Sequence, residues 1–307
     1  MKRLIILIGL VVFGIAISNA QQLPQFTQYM YNTISVNPAY AGSRDALSIV
    51  GLNRNQWAGF DDGPQTQTLS IHSPLRNEKL GLGLSLINDK AGFENFTYVY
   101  GDFSYTIQTS DDVDLSFGLK AGMTYYKLAS ELYNLTEVGQ DPYFNDKLDR
   151  WNANFGAGML LHSERWYMGL SIPKLINHDR NNDTEYAALE RVHYYAIGGY
   201  VFDLSDNVKF KPSFLFKYTK AAPISTDLTA NFLFNEKFWV GGSYRFNGDQ
   251  GAFGALVDFQ VSDQFRVGYT YEVPTGEIRP YTNGTHEILL MYEFRFMKRK
   301  QKSPRYF

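Results

Sequence analysis

The chain has 307 residues, with 29 Lys+Arg against 31 Asp+Glu, no cysteine, 22 Tyr and 23 Phe. The charge balance excludes a nucleic-acid footprint, and the lack of cysteine excludes a disulfide framework, a thiolate metal site and a Cys nucleophile. Two domains would be usual at this length, but 16% aromatic residues, 26 Gly and few stretches of helical period favour a single β-barrel unit.

Met1, Lys2 and Arg3 form a short basic region ahead of an apolar run, Leu4 to Ile17, broken only by Gly9 and Gly14. Ser18-Asn19-Ala20 then supplies small residues, so residues 1–20 read as a secretory signal peptide cleaved after Ala20. The run is too short for a membrane anchor, which needs ~20 apolar residues. No cysteine follows to carry a lipid. Without Lys2 and Arg3 the mature net charge is about −4.

Residues 21–43 make a poor strand, with Pro24, Pro38 and several amide side chains. One helical turn is expected around Phe26–Asn32. The segment is expected to lie at the periplasmic mouth of the barrel or to fold into its lumen as a plug.

From residue 44 to residue 296 the dominant signal is period-two alternation. Leu80, Leu82, Leu84 and Leu86 alternate with Gly81, Gly83 and Ser85. Val113, Leu115, Phe117, Leu119, Ala121 and Met123 alternate with Asp114, Ser116, Gly118, Lys120 and Gly122, which is the length of a tilted bilayer crossing. The pattern returns at Trp166–Ile172, Leu228–Phe234, Ala255–Val261, Phe265–Val273 and Leu290–Phe296. The stretch with Phe210, Phe214, Phe216 and Tyr218 reads as less clean, of mixed parity. No run of ~20 apolar residues follows the leader, so the membrane would be crossed by strands. Lipid leaves no backbone group unpaired, so such a sheet must close.

Short polar turns at Thr109–Asp112, His162–Glu164, Ser205–Asn207, Asn235–Lys237 and Ser262–Gln264 alternate with longer connections at Ala129–Arg150, Lys174–Leu189 and Thr275–Thr285. The expected fold is therefore all-β: a transmembrane antiparallel up-and-down barrel of about 14 strands (about 12–16), both termini periplasmic. Leu119, Phe232 and Tyr269 are expected to face lipid. Arg at Leu119 should then be costly, and Arg at Gly118 better tolerated if the lumen is wet. Arg54, Lys120, Asp258, Arg266, Glu272, Glu293 and Arg295 fall on the inner face. Their mixed signs suit a salt-bridged, partly plugged interior better than a one-sign ion filter. Residues 297–307 form a basic tail with Lys298, Arg299, Lys300, Lys302 and Arg305, expected to be solvated in the periplasm.

Catalytic motifs are lacking. There is no Gly-x-Ser-x-Gly and no His-Glu-x-x-His, and the five His show no metal-ligand spacing. His286 and Glu287 are neighbours on a strand, so they point to opposite faces. Gly198-Gly199 and Gly241-Gly242 lack the context of a phosphate loop and read as relief of curvature or crowding. Asp61-Asp62-Gly63 reads as a turn. No enzyme activity, cofactor or metal is expected.

Near the mature N-terminus the residues become specific. Pro24-Gln25-Phe26-Thr27-Gln28-Tyr29-Met30-Tyr31-Asn32 is followed by Val36-Asn37-Pro38-Ala39-Tyr40-Ala41-Gly42-Ser43, then Arg54, Gln56-Trp57, Gly59-Phe60, Gly63-Pro64 and Thr66. The run resembles the opening of PorP/SprF proteins of the Bacteroidetes, and Gly284-Thr285-His286-Glu287-Ile288-Leu289-Leu290 is similar to that family's closing segment. The resemblance spans the mature chain, with its specific motifs at the two ends. It implies a non-enzymatic outer-membrane component of the type IX secretion and gliding-motility machinery. Its partners would be outer-membrane lipid, secretion components and a large exported surface protein, such as an adhesin with a type B C-terminal domain.

Phe26, Tyr29, Asn37, Pro38, Tyr40, Arg54 and Trp57 are the expected partner-binding residues. Aromatic rings in a segment that cannot be a wall strand suit an interface. A plug that packs only on its own barrel is the competing reading of that segment. A passive porin or hydrophobic-solute channel is the competing function.

Overall fold

The computed structural model describes residues 23–128, 149–179, 189–220, 222–248, 250–294 and 306. The expected signal peptide, the connection around Asn134, Arg295, Phe296 and the basic tail apart from Tyr306 lie outside the described residues.

Among the described residues, fourteen strands form one closed antiparallel sheet. They are β1 (Leu47–Asn55), β2 (Gln65–Pro74), β3 (Leu80–Ala91), β4 (Glu94–Ser110), β5 (Val113–Leu128), β6 (Asp149–His162) and β7 (Trp166–Ile172). The second half comprises β8 (His193–Tyr200), β9 (Val208–Thr219), β10 (Ser225–Phe234), β11 (Phe238–Asn247), β12 (Gln250–Gln260), β13 (Phe265–Pro274) and β14 (Thr285–Phe294). β8 resumes beyond Val201 as Phe202–Ser205, still paired with β9. β1 closes the sheet on β14, from Leu47 opposite Phe294 to Asn55 opposite His286. Closure leaves no edge, the condition for a sheet in hydrocarbon.

Alternation sets the two faces. Leu119, Phe232 and Tyr269 point outward, with exposures of 62%, 38% and 39%. Arg54, Lys120, Asp258, Arg266, Glu272 and Glu293 point inward and are buried. Arg at Leu119 is expected to cost ~2–4 kcal/mol, read as a lower midpoint in a refolding titration into lipid vesicles. β9 corrects the reading of mixed parity. Phe210, Phe214, Phe216 and Tyr218 all share its outer face, and Lys211, Ser213, Leu215 and Lys217 share its inner one.

Short and long connections do not separate cleanly. One end of the barrel carries only connections of two to five residues, from 75–79 round to 261–264. The other end carries the long ones, among them 56–64, 173–192 and 275–284, but also tight turns at Gly92 and Gly248. Gly92 and Gly248 have φ of 57° and 61°, the left-handed conformation that two-residue hairpins require.

The two ends of the described chain are placed differently. β14 finishes at the short-turn end. Leu23, in contrast, donates its N–H to His193 Nε2 at 3.3 Å and accepts from Lys217 Nζ at 3.2 Å, both near the long-connection end. The first and last stretches of the described chain thus lie at opposite ends. Between Leu23 and β1 the chain runs down the whole lumen. In place of the helical turn expected at Phe26–Asn32 it makes successive tight turns, then two 3-10 turns, Thr33–Ser35 and Pro38–Tyr40.

Candidate functional site: a lumen filled by the chain's own N-terminal segment

Eight strands enclose a space that wall side chains can fill, whereas sixteen or more leave a channel. A barrel of fourteen needs additional material to be solid, and residues 26–41 supply it. Phe26, Tyr29, Met30, Tyr31, Ile34, Ala39, Tyr40 and Ala41 are buried in one cluster with inward Val50, Leu52, Leu160, Ile197, Leu215 and Leu289.

Backbone groups buried in this way need partners. The tight turns supply some: Tyr31 N to Gln28 O and Asn32 N to Tyr29 O at 3.1 Å, and Asn37 N to Thr33 O at 2.8 Å. The wall supplies others. Ser171 Oγ donates to Val36 O at 2.7 Å, and Ser104 Oγ donates to Ala41 O at 2.6 Å. Gly42 N–H donates to His72 Nδ1 at 3.1 Å.

The upper part of the plug is held by charge. Arg54 on β1 reaches Glu272 on β13 at 2.6 Å and also pairs with Glu287 on β14. Glu287 accepts the N–H groups of Thr27 at 2.8 Å and Gln28 at 3.1 Å. The Thr27 hydroxyl bonds Glu272, and the Gln25 amide bonds Asp227. Arg245 completes the ring, 2.6 Å from Asp227 and 3.6 Å from Glu272. Lower down, Asn32 bonds Thr68 at 3.0 Å and Ser70 at 2.5 Å. Lys120 pairs with Asp102 at 2.7 Å and donates to Ile34 O at 3.3 Å. At the short-turn end Arg44 pairs with Glu293 at 2.6 Å and donates to the Tyr40 hydroxyl at 3.2 Å. The interior is thus salt-bridged and of mixed sign, as the inner-face charges suggest.

Of the residues expected to bind a partner, Phe26, Tyr29, Asn37, Pro38, Tyr40 and Arg54 are brought together inside the lumen. Asn37 caps the second 3-10 turn through Ala39 N at 3.0 Å and anchors it by donating to Met159 O at 3.0 Å. Tyr40 stands edge-on to His72, ring centres 5.3 Å apart. The structure separates Trp57 from this group. It follows β1 at the long-connection end, half-buried, and its backbone N–H donates to Thr285 Oγ1 at 3.2 Å. Its neighbour Ala58 exchanges backbone hydrogen bonds of 2.7 Å with Gly284 and Asn283, tying the 56–64 and 275–284 connections together. Phe60 and Tyr281 stand exposed on these two connections.

Sequence reasoning missed Asp227 and Arg245, which inward parity on β10 and β11 would have found. It also gave three inner glycines no role. A Cβ at Gly118 would stand 2.1 Å from Ala39 N, at Gly81 2.2 Å from Ala41 O, and at Gly158 2.2 Å from the Asn37 side chain. These glycines are the seat of the plug. The better tolerance of Arg at Gly118 was expected for a wet lumen, and at that point the lumen is filled by Pro38 and Ala39. His286 faces outward, 2.7 Å from the Tyr269 hydroxyl, while Glu287 faces inward. Among the described residues no group of three or more His, Asp or Glu is placed to hold a metal ion.

The family model for the type IX secretion system membrane protein PorP/SprF matches residues 18–292. The chain belongs to the PorP/SprF family. Among solved structures it is similar to the CymD monoaromatic hydrocarbon channel, with TM-score 0.52 and 13% identity over 89% of this chain and 94% of that one. It is also similar to the Ralstonia pickettii toluene transporter TbuX, with TM-score 0.50 and 9% identity over 86% and 93%. At such identities the likeness establishes the barrel fold alone. No curated protein matches the sequence. Family and fold together make this PorP/SprF protein an outer-membrane β-barrel of the type IX secretion system, and neither belongs to a known enzyme class.

Proposed function

We propose that this PorP/SprF barrel is a closed, non-enzymatic scaffold that docks or anchors an exported cell-surface protein, such as an adhesin with a type B C-terminal domain, beside other secretion components. The observation that carries this reading is the filled lumen. Residues 26–41 occupy the space a solute would use, so the working surface lies at an end of the barrel. In this reading the short turns face the periplasm and the long connections face outward. Phe26, Tyr29, Asn37, Pro38, Tyr40 and Arg54 then serve binding indirectly, by seating the plug. Trp57, with Phe60 and Tyr281, contacts the partner. Aromatics held on braced connections bury large area at little entropic cost.

Affinity purification from native envelopes tests this. The wild-type barrel should retain an exported surface protein by mass spectrometry, and the triple variant Trp57→Ala, Phe60→Ala, Tyr281→Ala should lose it at an unchanged barrel level. Equal recovery with both would move the docking surface elsewhere.

One observation favours the competing channel reading. A small cleft of about 40 Å³ lies between plug and wall, lined by Phe26, Tyr98, Tyr100 and Tyr195 among others. Its lining is largely aromatic and apolar, and the names of the two similar structures point to aromatic hydrocarbons. Toluene uptake by vesicles carrying the wild-type barrel would favour that reading.

A further inference from the structure

We infer that the short-turn mouth carries a binding pocket for an aromatic residue, and that its occupant is Tyr306 of the same chain. The pocket is one cross-strand row. Lys209 on β9 lies opposite Leu233 on β10, and Leu233 lies opposite Trp239 on β11. All three sit beside the turns at 206–207 and 235–237. Val201, at the interruption of β8, closes the side. Tyr306 packs into this group and is 5% exposed, against 1% for Val201, 3% for Leu233 and 2% for Trp239.

Both halves of the residue are recognised. The ring lies against the apolar trio, with Lys209 Nζ 5.3 Å from its centre. Lys209 is itself fixed by Asp203 at 2.8 Å. The backbone carbonyl of Tyr306 accepts a hydrogen bond from Lys211 Nζ, one inward position deeper. Lys211 is fully buried, and a buried ammonium is tolerated only with acceptors around it. The same ammonium stands 5.5 Å from the Tyr31 ring of the plug and 5.7 Å from Trp239. Tyr306 therefore contacts the lysine that the plug also contacts, and it caps that mouth from outside. The wall reads an aromatic ring together with a main-chain carbonyl, the chemistry of an aromatic residue in an extended peptide.

Two measurements on the full-length protein in detergent test the inference. Trypsin cleavage after Lys298, Arg299, Lys300 or Lys302 should be about tenfold faster in Tyr306→Ala than in wild type, because cleavage follows the population of the open form. Tyr306→Phe should behave as wild type, since the ring and the carbonyl carry the contact. In parallel, p-benzoylphenylalanine at position 306 should cross-link within one chain to the segments holding Leu233 or Trp239. Equal cleavage of all three proteins, a cross-link to a second copy, or none to those segments would overturn the assignment.

Discussion

Gly118→Arg is expected to expel the plug. The Cβ alone would stand 2.1 Å from the Ala39 nitrogen and 2.4 Å from the Pro38 carbonyl carbon. Those are main-chain atoms, which cannot rotate away. Overpacking with a few methylenes costs ~1–3 kcal/mol, and a guanidinium pressed against Pro38 and Ala39 adds an unpaired buried charge. The plug then cannot sit in its place. Chymotrypsin reads this directly, since Phe26, Tyr29, Tyr31 and Tyr40 are all cleavage points that burial protects. Cutting in this segment should be slow in wild type and rapid in Gly118→Arg, with the barrel still heat-modifiable. Leu119→Arg, one residue away on the lipid face, should reduce assembly but leave the assembled plug protected. Continued protection of the segment in Gly118→Arg would show that it does not sit against Gly118.

Arg54→Ala is expected to have the second large effect. The guanidinium bridges Glu272 and Glu287, both buried, and Glu287 in turn holds the Thr27 and Gln28 amides. Removing it leaves two carboxylates facing each other in a closed interior. Breaking a buried pair costs about 3–5 kcal/mol. Arg245, 3.6 Å from Glu272, compensates only in part. Arg54→Ala should lower the midpoint of urea unfolding from lipid vesicles and open residues 25–32 to chymotrypsin. The double variant Arg54→Ala, Glu272→Gln should recover part of both. A loss confined to Arg54→Ala, with no recovery in the double variant, would show that Arg54 acts through packing rather than charge.

The wall was legible because lipid outside and protein inside impose one alternation on every strand. Val113–Met123 and Leu228–Phe234 follow it without a break. Even β9, whose aromatics seemed mixed, obeys it once they are numbered from Phe210 to Tyr218. Closure at fourteen strands followed from counting such segments. What periodicity does not carry is which end a loop segment occupies. Pro24, Pro38 and the amides show that residues 23–43 are not a strand, yet mouth and lumen satisfy that equally. The deciding signal lay in the wall, where Gly81, Gly118 and Gly158 face inward beneath backbone atoms of residues 37–41 or the Asn37 side chain. Read one strand at a time, they look like relief of curvature. Only the three-dimensional register lines them up under a single path. Tyr306 was hidden for a different reason: a basic run reads as solvated, and one aromatic beside it gives no period.

Conductance of the purified barrel in a planar bilayer is the most direct measurement. With residues 26–41 seated, the wild-type protein should insert without stable current steps, and deletion of Gln25–Ser43 should turn the same barrel into an open pore. A steady ohmic conductance from the wild-type protein, as large as that of the deletion, would contradict a lumen closed by its own N-terminal segment.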